Sequence, residues 1–61
     1  MVTKFIVGNS YSKEEIEEDG FIKTKQSSLY YFYRKDNILM IFDHPKPKIP
    51  NQYKLKSIFV D

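Results

Sequence analysis

The sequence predicts an α+β fold in which one short helix accompanies a curled, mostly antiparallel sheet of about five strands, in the order β-α-β-β-β-β. Three observations lead to this prediction: a single helix-capping pattern, several short runs rich in aromatic and β-branched residues, and turn or loop residues between those runs. Because so short a helix can cover little of a sheet, we expect the sheet to curl into a half-barrel or a small barrel.

The first two predicted elements are a strand and the helix. Residues 3–8, TKFIVG, are rich in β-branched and aromatic side chains, which predicts a strand. In the stretch YSKEEIEEDG that follows, Ser12 is a suitable N-cap, and Glu15 stands three residues later, where it can complete a capping box. Gly20 is the expected end of this helix, because helices commonly stop at a glycine.

The middle of the chain predicts a short strand and a hairpin. Residues 21–25, FIKTK, alternate weakly and indicate a strand with a lysine-bearing face. Residues 29–34 and 38–43 flank Lys35-Asp36-Asn37, which predicts a three-residue hairpin turn, in which Asn37 would tolerate a positive φ. This turn would place Tyr30 opposite Phe42 and Phe32 opposite Met40 on one face, and Tyr31 opposite Ile41 and Tyr33 opposite Leu39 on the other.

The last third of the chain predicts an extended connection and a final strand. Residues 44–51 contain three prolines, which favour an extended, polyproline-like segment and exclude a central strand. Residues 52–61 then alternate, with Tyr53 and Leu55 on one face and lysines on the other. The alternation loses its phase near Ser57, where a bulge can form.

The length of the chain, 61 residues, predicts a single small domain over residues 1–61. A domain of about 60 residues buries only roughly 60% of the surface of its unfolded chain, so small domains often depend on disulfides, metals or partners. The sequence has no cysteine and one histidine, so we predict no disulfide, no metal site and no cofactor. Association, as a homodimer or with a partner, is the remaining source of stability.

Composition also bears on location and origin. The chain has no run of about 18 apolar residues, and its N-terminus lacks the length and cleavage site of a signal peptide. We therefore expect a cytoplasmic protein, with no membrane partner. Nine lysines against one arginine, and no alanine, are typical of AT-rich genomes such as those of many Gram-positive bacteria and their phages.

Four consecutive aromatic residues, Tyr30 to Tyr33, are the most distinctive feature of the sequence. They are open to three interpretations: core of a small domain, a protein-binding or self-association surface, and a platform on which nucleic acid bases stack. The hairpin is apolar on both faces, and little else in the chain can cover both. The predicted partner-binding residues are Tyr30, Tyr31, Phe32, Tyr33, Met40 and Phe42.

Charge is distributed unevenly along the chain. Residues 1–19 hold two lysines and five carboxylates, a sum of −3, whereas residues 20–61 hold eight cations and three carboxylates, a sum of +5. Such a dipole can orient a partner during encounter, although a charge run is also typical of a solvated helix face. The residues predicted to steer a partner are Glu14, Glu17, Glu18, Lys54 and Lys56.

The sequence contains no catalytic pattern, and we predict that the protein is not an enzyme. His44 lies between Asp43 and Pro45 and is expected in a loop, without a nucleophile beside it. The helix carboxylates are too close in sequence to form an acid–base pair and are expected to face solvent, where they would hold a cation only weakly. Only two glycines are present, so no phosphate-binding glycine loop exists.

Residues 5–16, FIVGNSYSKEEI, resemble a segment of accessory domains in some bacterial restriction-type endonucleases. In those domains a phenylalanine, a glycine, a tyrosine and then a basic-acidic-isoleucine run open a helix. Lys13 stands where an arginine is more usual, and no nuclease catalytic motif follows. The resemblance implies a connection with genome defence or mobile elements.

These observations predict a small, non-catalytic phage or mobile-element protein that binds a host protein as an inhibitor or modulator, for example of a defence system. The alternative is a small sheet-based nucleic-acid-binding domain that uses Tyr30, Phe32, Lys54 and Lys56. Because the net charge is only +2 and a single arginine is present, we expect nucleic acid binding to be weak.

Overall fold

The computed structural model describes residues 3–61 and contains one helix and a five-stranded sheet. All neighbouring strands are antiparallel, and their order across the sheet is first, fifth, fourth, third, second. The α+β class is therefore confirmed, but the sheet is open rather than closed into a barrel. The elements are β1 (Ser10–Tyr11), α1 (Lys13–Glu18), β2 (Ile22–Gln26), β3 (Tyr30–Lys35), β4 (Ile38–Asp43) and β5 (Tyr53–Val60).

The strand predicted at residues 3–8 is wrong, because the first strand comprises only Ser10 and Tyr11. The chain turns before it: the Asn9 N–H donates to the Ile6 carbonyl at 3.1 Å, and Gly8 has φ +98°, which favours glycine. Phe5 is buried against the Tyr11 ring, with 4.7 Å between the ring centroids. This apolar stretch therefore contributes a core anchor instead of a paired strand.

The predicted helix ends are confirmed. The Ser12 hydroxyl accepts a hydrogen bond from the Glu15 N–H at 3.1 Å, and the Glu15 carboxylate accepts one from the Ser12 N–H at 3.3 Å, which completes the capping box. At the other end, Gly20 has φ +99° and its N–H donates to the Glu17 carbonyl at 3.0 Å. The Phe21 N–H donates to the Ile16 carbonyl at 3.4 Å, so the helix ends in a Schellman motif.

The proline-containing connection is folded into turns and is not the extended segment that the sequence predicts. The N–H groups of Ile49 and Gln52 donate to carbonyls three residues earlier. These turns bring Asn51 to the start of α1, where its side-chain oxygen accepts from the Lys13 N–H at 3.0 Å. The Asn51 amide also donates to the Glu14 carboxylate at 2.7 Å. The connection thus supplies a second cap for a helix that is distant in sequence.

The hairpin of β3 and β4 has a two-residue turn, and the predicted three-residue turn and its register are wrong. Asp36, rather than Asn37, has the positive φ, at +52°. Because Asp36 adopts the left-handed conformation that tight hairpins require, Lys35 stays in the ladder opposite Ile38. The register of β4 moves by one residue, which exchanges its two faces relative to β3. The observed pairs include Tyr31–Phe42, Phe32–Ile41, Tyr33–Met40 and Arg34–Leu39.

The core lies on the side of the sheet that faces α1. Fully buried apolar side chains each contribute about 1.5–3 kcal/mol to the free energy of unfolding. In β5, Leu55 lies opposite Phe42 and Ser57 lies opposite Ile41, so Lys56 is an extra residue at a bulge. This bulge matches the irregularity predicted near Ser57. The buried core residues are Phe5, Ile16, Phe21, Tyr33, Ile38, Met40, Phe42 and Leu55.

Candidate partner-binding face

The sheet has a second face, on the side away from α1, which we call the outer face. Successive strand residues point to opposite sides, so the observed register determines its members. The outer face contains none of the buried core residues, because along β3, β4 and β5 the core residues alternate with the residues whose side chains point outward. On these strands the outer face consists of Tyr30, Phe32, Arg34, Leu39, Ile41, Asp43, Lys54, Lys56, Ser57 and Phe59, and β2 adds Ile22 and Lys25.

The centre of the outer face is apolar. Phe32 on β3, Ile41 on β4 and the neighbouring Leu39 are partly exposed. The two flanks are more open, because 53% of Phe59 and 69% of Ile22 remain exposed. Apolar side chains on the adjacent strands β3, β4 and β5 therefore form a contiguous surface, with Ile22 of β2 at its flank. Such surfaces mark interaction sites more often than isolated exposed residues do.

Lysine side chains frame this apolar centre. The ammonium nitrogen of Lys25 lies 5.7 Å from the centroid of the Phe32 ring, and that of Lys56 lies 5.8 Å from the Tyr30 ring. These are cation–π distances, worth about 0.5–1 kcal/mol each at an exposed site. Each lysine thus combines a positive charge at the rim with an aromatic surface beneath it.

The negative charges of the helix lie on the other side of the sheet. Ile16 anchors α1 in the core, and the three helix carboxylates predicted to steer a partner are all exposed. Glu17 forms only a long ion pair with Lys13, at 3.9 Å, and such exposed pairs contribute little. The hydrogen bond from Asn51 lowers the pKa of Glu14. The uneven charge along the sequence therefore becomes an acidic helix side and a basic outer face.

The structure separates the residues predicted to bind a partner into two groups. Tyr33, Met40 and Phe42 are at most 1% exposed, so in the folded chain they form the core and present no surface to a partner. Burial raises the pKa of Tyr33 to about 12. Tyr30 and Phe32 are on the outer face. The structure therefore brings together the four residues of the nucleic-acid alternative, Tyr30, Phe32, Lys54 and Lys56.

Tyr31 belongs to neither group, because it points to the core side at the end of the sheet. Its ring stacks on His44, with 4.2 Å between the centroids and 8° between the planes. The His44 Nε2 lies 2.8 Å from the Ser27 carbonyl oxygen, to which it can donate a hydrogen bond. His44 thus links the end of β4 to the loop that precedes β3, and these contacts stabilise the fold.

Sequence reasoning missed several residues of the outer face. Leu39, Ile41 and Phe59 were not among the predicted partner-binding residues, although their side chains form much of its apolar centre. A two-residue turn at Asp36-Asn37 would have placed Leu39 and Ile41 correctly, because the turn length sets the register.

Neither a metal centre nor a membrane span is found in residues 3–61. No three His, Cys, Asp or Glu side chains of this part of the chain come together as metal ligands. Its helix α1 has six residues, far fewer than are needed to cross a membrane. The chain matches no family model, no curated protein and no solved structure.

Proposed function

We propose that this protein is a non-catalytic binding protein and that its outer face docks on another protein. The observation that carries the proposal is the contiguous apolar centre of that face, on the side of the sheet opposite the helix. The central side chains Leu39 and Ile41 are aliphatic, so they offer close packing but no plane on which a base can stack. This composition fits a protein partner better than a nucleic acid.

The charge pattern specifies the chemistry of that partner. Lys25, Lys54 and Lys56 surround the apolar centre together with Arg34, whose guanidinium pairs with Asp61 at 3.4 Å. Asp43 is the one carboxylate among the members of the outer face on β3, β4 and β5. A complementary surface would present apolar side chains encircled by aspartates or glutamates. Such complementarity mainly raises the association rate and excludes wrong partners.

The biological setting of the proposal comes from the sequence. Lysine-rich, alanine-free composition is typical of AT-rich genomes such as those of many Gram-positive bacteria and their phages, and residues 5–16 resemble a segment of restriction-type endonuclease accessory domains. We therefore propose a cytoplasmic inhibitor or modulator of a host protein, for example one of a defence system.

A second candidate function is the binding of single-stranded nucleic acid on the same face. It is favoured by the Lys25–Phe32 and Lys56–Tyr30 pairs, because a cation beside a partly exposed ring suits a phosphate next to a stacked base. The surrounding positive charge would hold the strand in a salt-dependent manner.

Affinity purification from host lysate, with and without nuclease, distinguishes the two functions when it is combined with matched variants. Phe32→Ala removes the central ring of the outer face, and we expect it to lower the affinity for the protein partner by about tenfold or more. Leu29→Ala is the control, since Leu29 is 65% exposed and precedes β3. A partner that is lost on nuclease treatment would favour the second function, and a partner retained equally by both variants would contradict the first.

A further inference from the structure

The two long edges of the sheet are not equivalent. β1 pairs only with the start of β5, at Tyr53 and Lys54. The last backbone hydrogen bonds on that side join Leu55 to Gly8 and Asn9, both at 2.9 Å. Within residues 3–61, no strand pairs with the remainder of β5 on the side away from β4. We call this segment, residues 56–60, the free edge.

The backbone groups that point out of the free edge follow from the hydrogen bonds around it. The Asp61 N–H donates to the Asn37 carbonyl at 2.9 Å, so Asp61 faces β4. The backbone N–H and C=O groups of successive strand residues alternate in direction, so the backbone groups of Phe59 and Ser57 also point toward β4. The backbone groups of Ile58 and Val60 therefore point away from the sheet, toward a position that an added strand would occupy.

The opposite edge, at β2, is protected against such pairing, whereas the free edge is not. β2 carries Lys23 and Lys25 and has an irregular register between them, and charged residues and bulges discourage strand addition. Between Lys56 and Asp61 the free edge has no charged residue. Phe59 is 53% exposed and Val60 is 48% exposed. A stretch of four uncharged residues, 57–60, that leaves apolar side chains exposed is the kind of edge to which another strand adds.

We propose that a second copy of this chain occupies the free edge, so that the β5 strands of the two copies pair antiparallel around a two-fold axis at Phe59. In this register Ile58 of one copy lies opposite Val60 of the other, and their outward N–H and C=O groups bond to one another. Phe59 lies opposite Phe59 of the second copy as a close, non-hydrogen-bonded pair. Every outward backbone group of Ile58 and Val60 is then satisfied.

The side chains of the free edge favour a second copy over an unrelated strand, because two-fold symmetric pairing places chemically compatible side chains opposite each other. Ile58 and Val60 meet as an apolar pair on the core side, and the two Phe59 rings meet on the outer face. Ser57 lies opposite Asp61 of the second copy, whose carboxylate also approaches Lys56. The Asp61 carboxylate pairs with Arg34 of its own chain at 3.4 Å, but its side chain is 75% exposed and so remains accessible for this second contact.

The bulge at Lys56 makes this register more favourable than the register in which the two-fold axis is shifted by one residue. If the axis passed through Ile58 instead, Lys56 would lie opposite Val60. Because Lys56 is the extra residue of the bulge, where the strand is locally irregular, it would pair with Val60 less regularly than Ile58 does. One hydrogen-bonded pair would then be weakened on each side of the axis.

This pairing would join the two sheets edge to edge and place the two outer faces side by side. The two Phe59 rings would lie at the centre of a face twice as wide. The dimer does not depend on the nature of the partner proposed above, since its hydrogen bonds join the β5 edges, and of the apolar residues of the outer face only Phe59 takes part in it.

Sedimentation or light scattering of the full chain, over concentrations from micromolar to millimolar, tests the proposal. We expect the mass to rise to twice the 7.3 kDa of one chain. Phe59→Lys places like charges opposite each other and should raise the dissociation constant at least tenfold. Ile22→Lys is the control, because Ile22 is an exposed apolar residue of the outer face at the other edge, and it should leave the mass unchanged.

Hydrogen exchange at single residues tests the register independently. The Ile58 and Val60 amides should become protected as the concentration rises, and Phe59→Lys should remove that protection. The Phe59 amide, which faces β4, should be protected in the wild type at all concentrations. A monomer at millimolar concentration, equal effects of Phe59→Lys and Ile22→Lys, or protection of Ile58 and Val60 in a monomeric sample would each overturn the proposal.

Discussion

At the scale of single residues, consecutive residues of the aromatic run point to opposite faces of the sheet. Tyr33 is 1% exposed and its ring meets Phe42 edge to face, with 5.6 Å between the centroids. Phe32, one peptide earlier, points to the outer face beneath Lys25. Loss of a core ring costs about 3–5 kcal/mol, a large part of the stability of a small domain. Tyr33 therefore holds the fold, while Phe32 is available to a partner.

Tyr33→Phe is expected to change how stability depends on pH. Burial raises the pKa of Tyr33 from about 10 to about 12 in the folded chain. The unfolded chain thus releases this proton first, and the stability contributed by the protonated hydroxyl is lost as the pH rises from about 10 to about 12. Chemical denaturation of both proteins across this range should show a steeper fall for the wild type. Parallel curves would contradict the burial of the hydroxyl.

Asn51→Ala is expected to raise the pKa of Glu14 toward its usual value of 4.5. The hydrogen bond from the Asn51 amide favours the charged carboxylate and is the largest cause of the lowered pKa. Titration of the Glu14 side chain by NMR measures this change directly. Gln52→Ala is the control, and an equal rise in that variant would show that the hydrogen bond is not the cause.

At the scale of elements, α1 is stabilised mainly at its ends. It has six residues, and Ile16 is the only one that is buried. Isolated helices of this length are unstable in water, so caps and anchoring decide whether it forms. The capping box and Asn51 satisfy its first N–H groups, and the Schellman motif ends it. Lys35 of β3 also approaches Asp19 at 3.9 Å, which places a positive charge at the C-terminal end.

Ser12→Ala is expected to lower the melting temperature by about 4–8 °C. The change removes the oxygen that accepts the Glu15 N–H, at a cost of about 1 kcal/mol, and a domain of this size is sensitive to such a loss. Ser28→Ala is the matched control, because Ser28 is exposed and its side chain makes no hydrogen bond among the described residues. Equal melting temperatures for all three proteins would argue against the cap.

At the scale of the whole molecule, the sheet separates opposite charges. The acidic helix covers the core side, and lysines surround the apolar centre on the outer side. The separation can orient an approaching partner, and its effect should weaken as salt screens the charges over about 10 Å at 0.1 M. The net charge of +2 remains small, so steering rather than tight polyanion binding is the expected consequence.

Binding to single-stranded DNA is therefore expected to be weak and to fade between about 50 and 200 mM salt. Replacement of Lys25 and Lys56 by alanine should abolish what binding exists. Replacement of Lys4 and Lys13 by alanine makes the same change in charge outside the outer face and should matter less. Fluorescence anisotropy with a labelled oligonucleotide measures all three proteins. Sub-micromolar affinity at the higher salt would instead make nucleic acid binding the leading function.

The sequence by itself determined the features that depend on neighbouring residues. The capping box of Ser12 and Glu15, the helix end at Gly20 and the irregularity near Ser57 were all predicted, because each requires residue types only a few positions apart. The α+β class followed from the same local patterns. The three interpretations of the aromatic run stayed open, because local patterns do not say which face of a strand is covered.

Only the tertiary structure decided which side chains share a face and what the N-terminal segment does. The register of β3 and β4 depends on whether Lys35 joins the turn or the ladder, and one residue of difference exchanges the faces of Met40 and Ile41. Asn51 reaches α1 from a connection that is distant in sequence. Phe5 lies in the core rather than in a strand, because burial against Tyr11 and Phe21 outweighs its strand propensity.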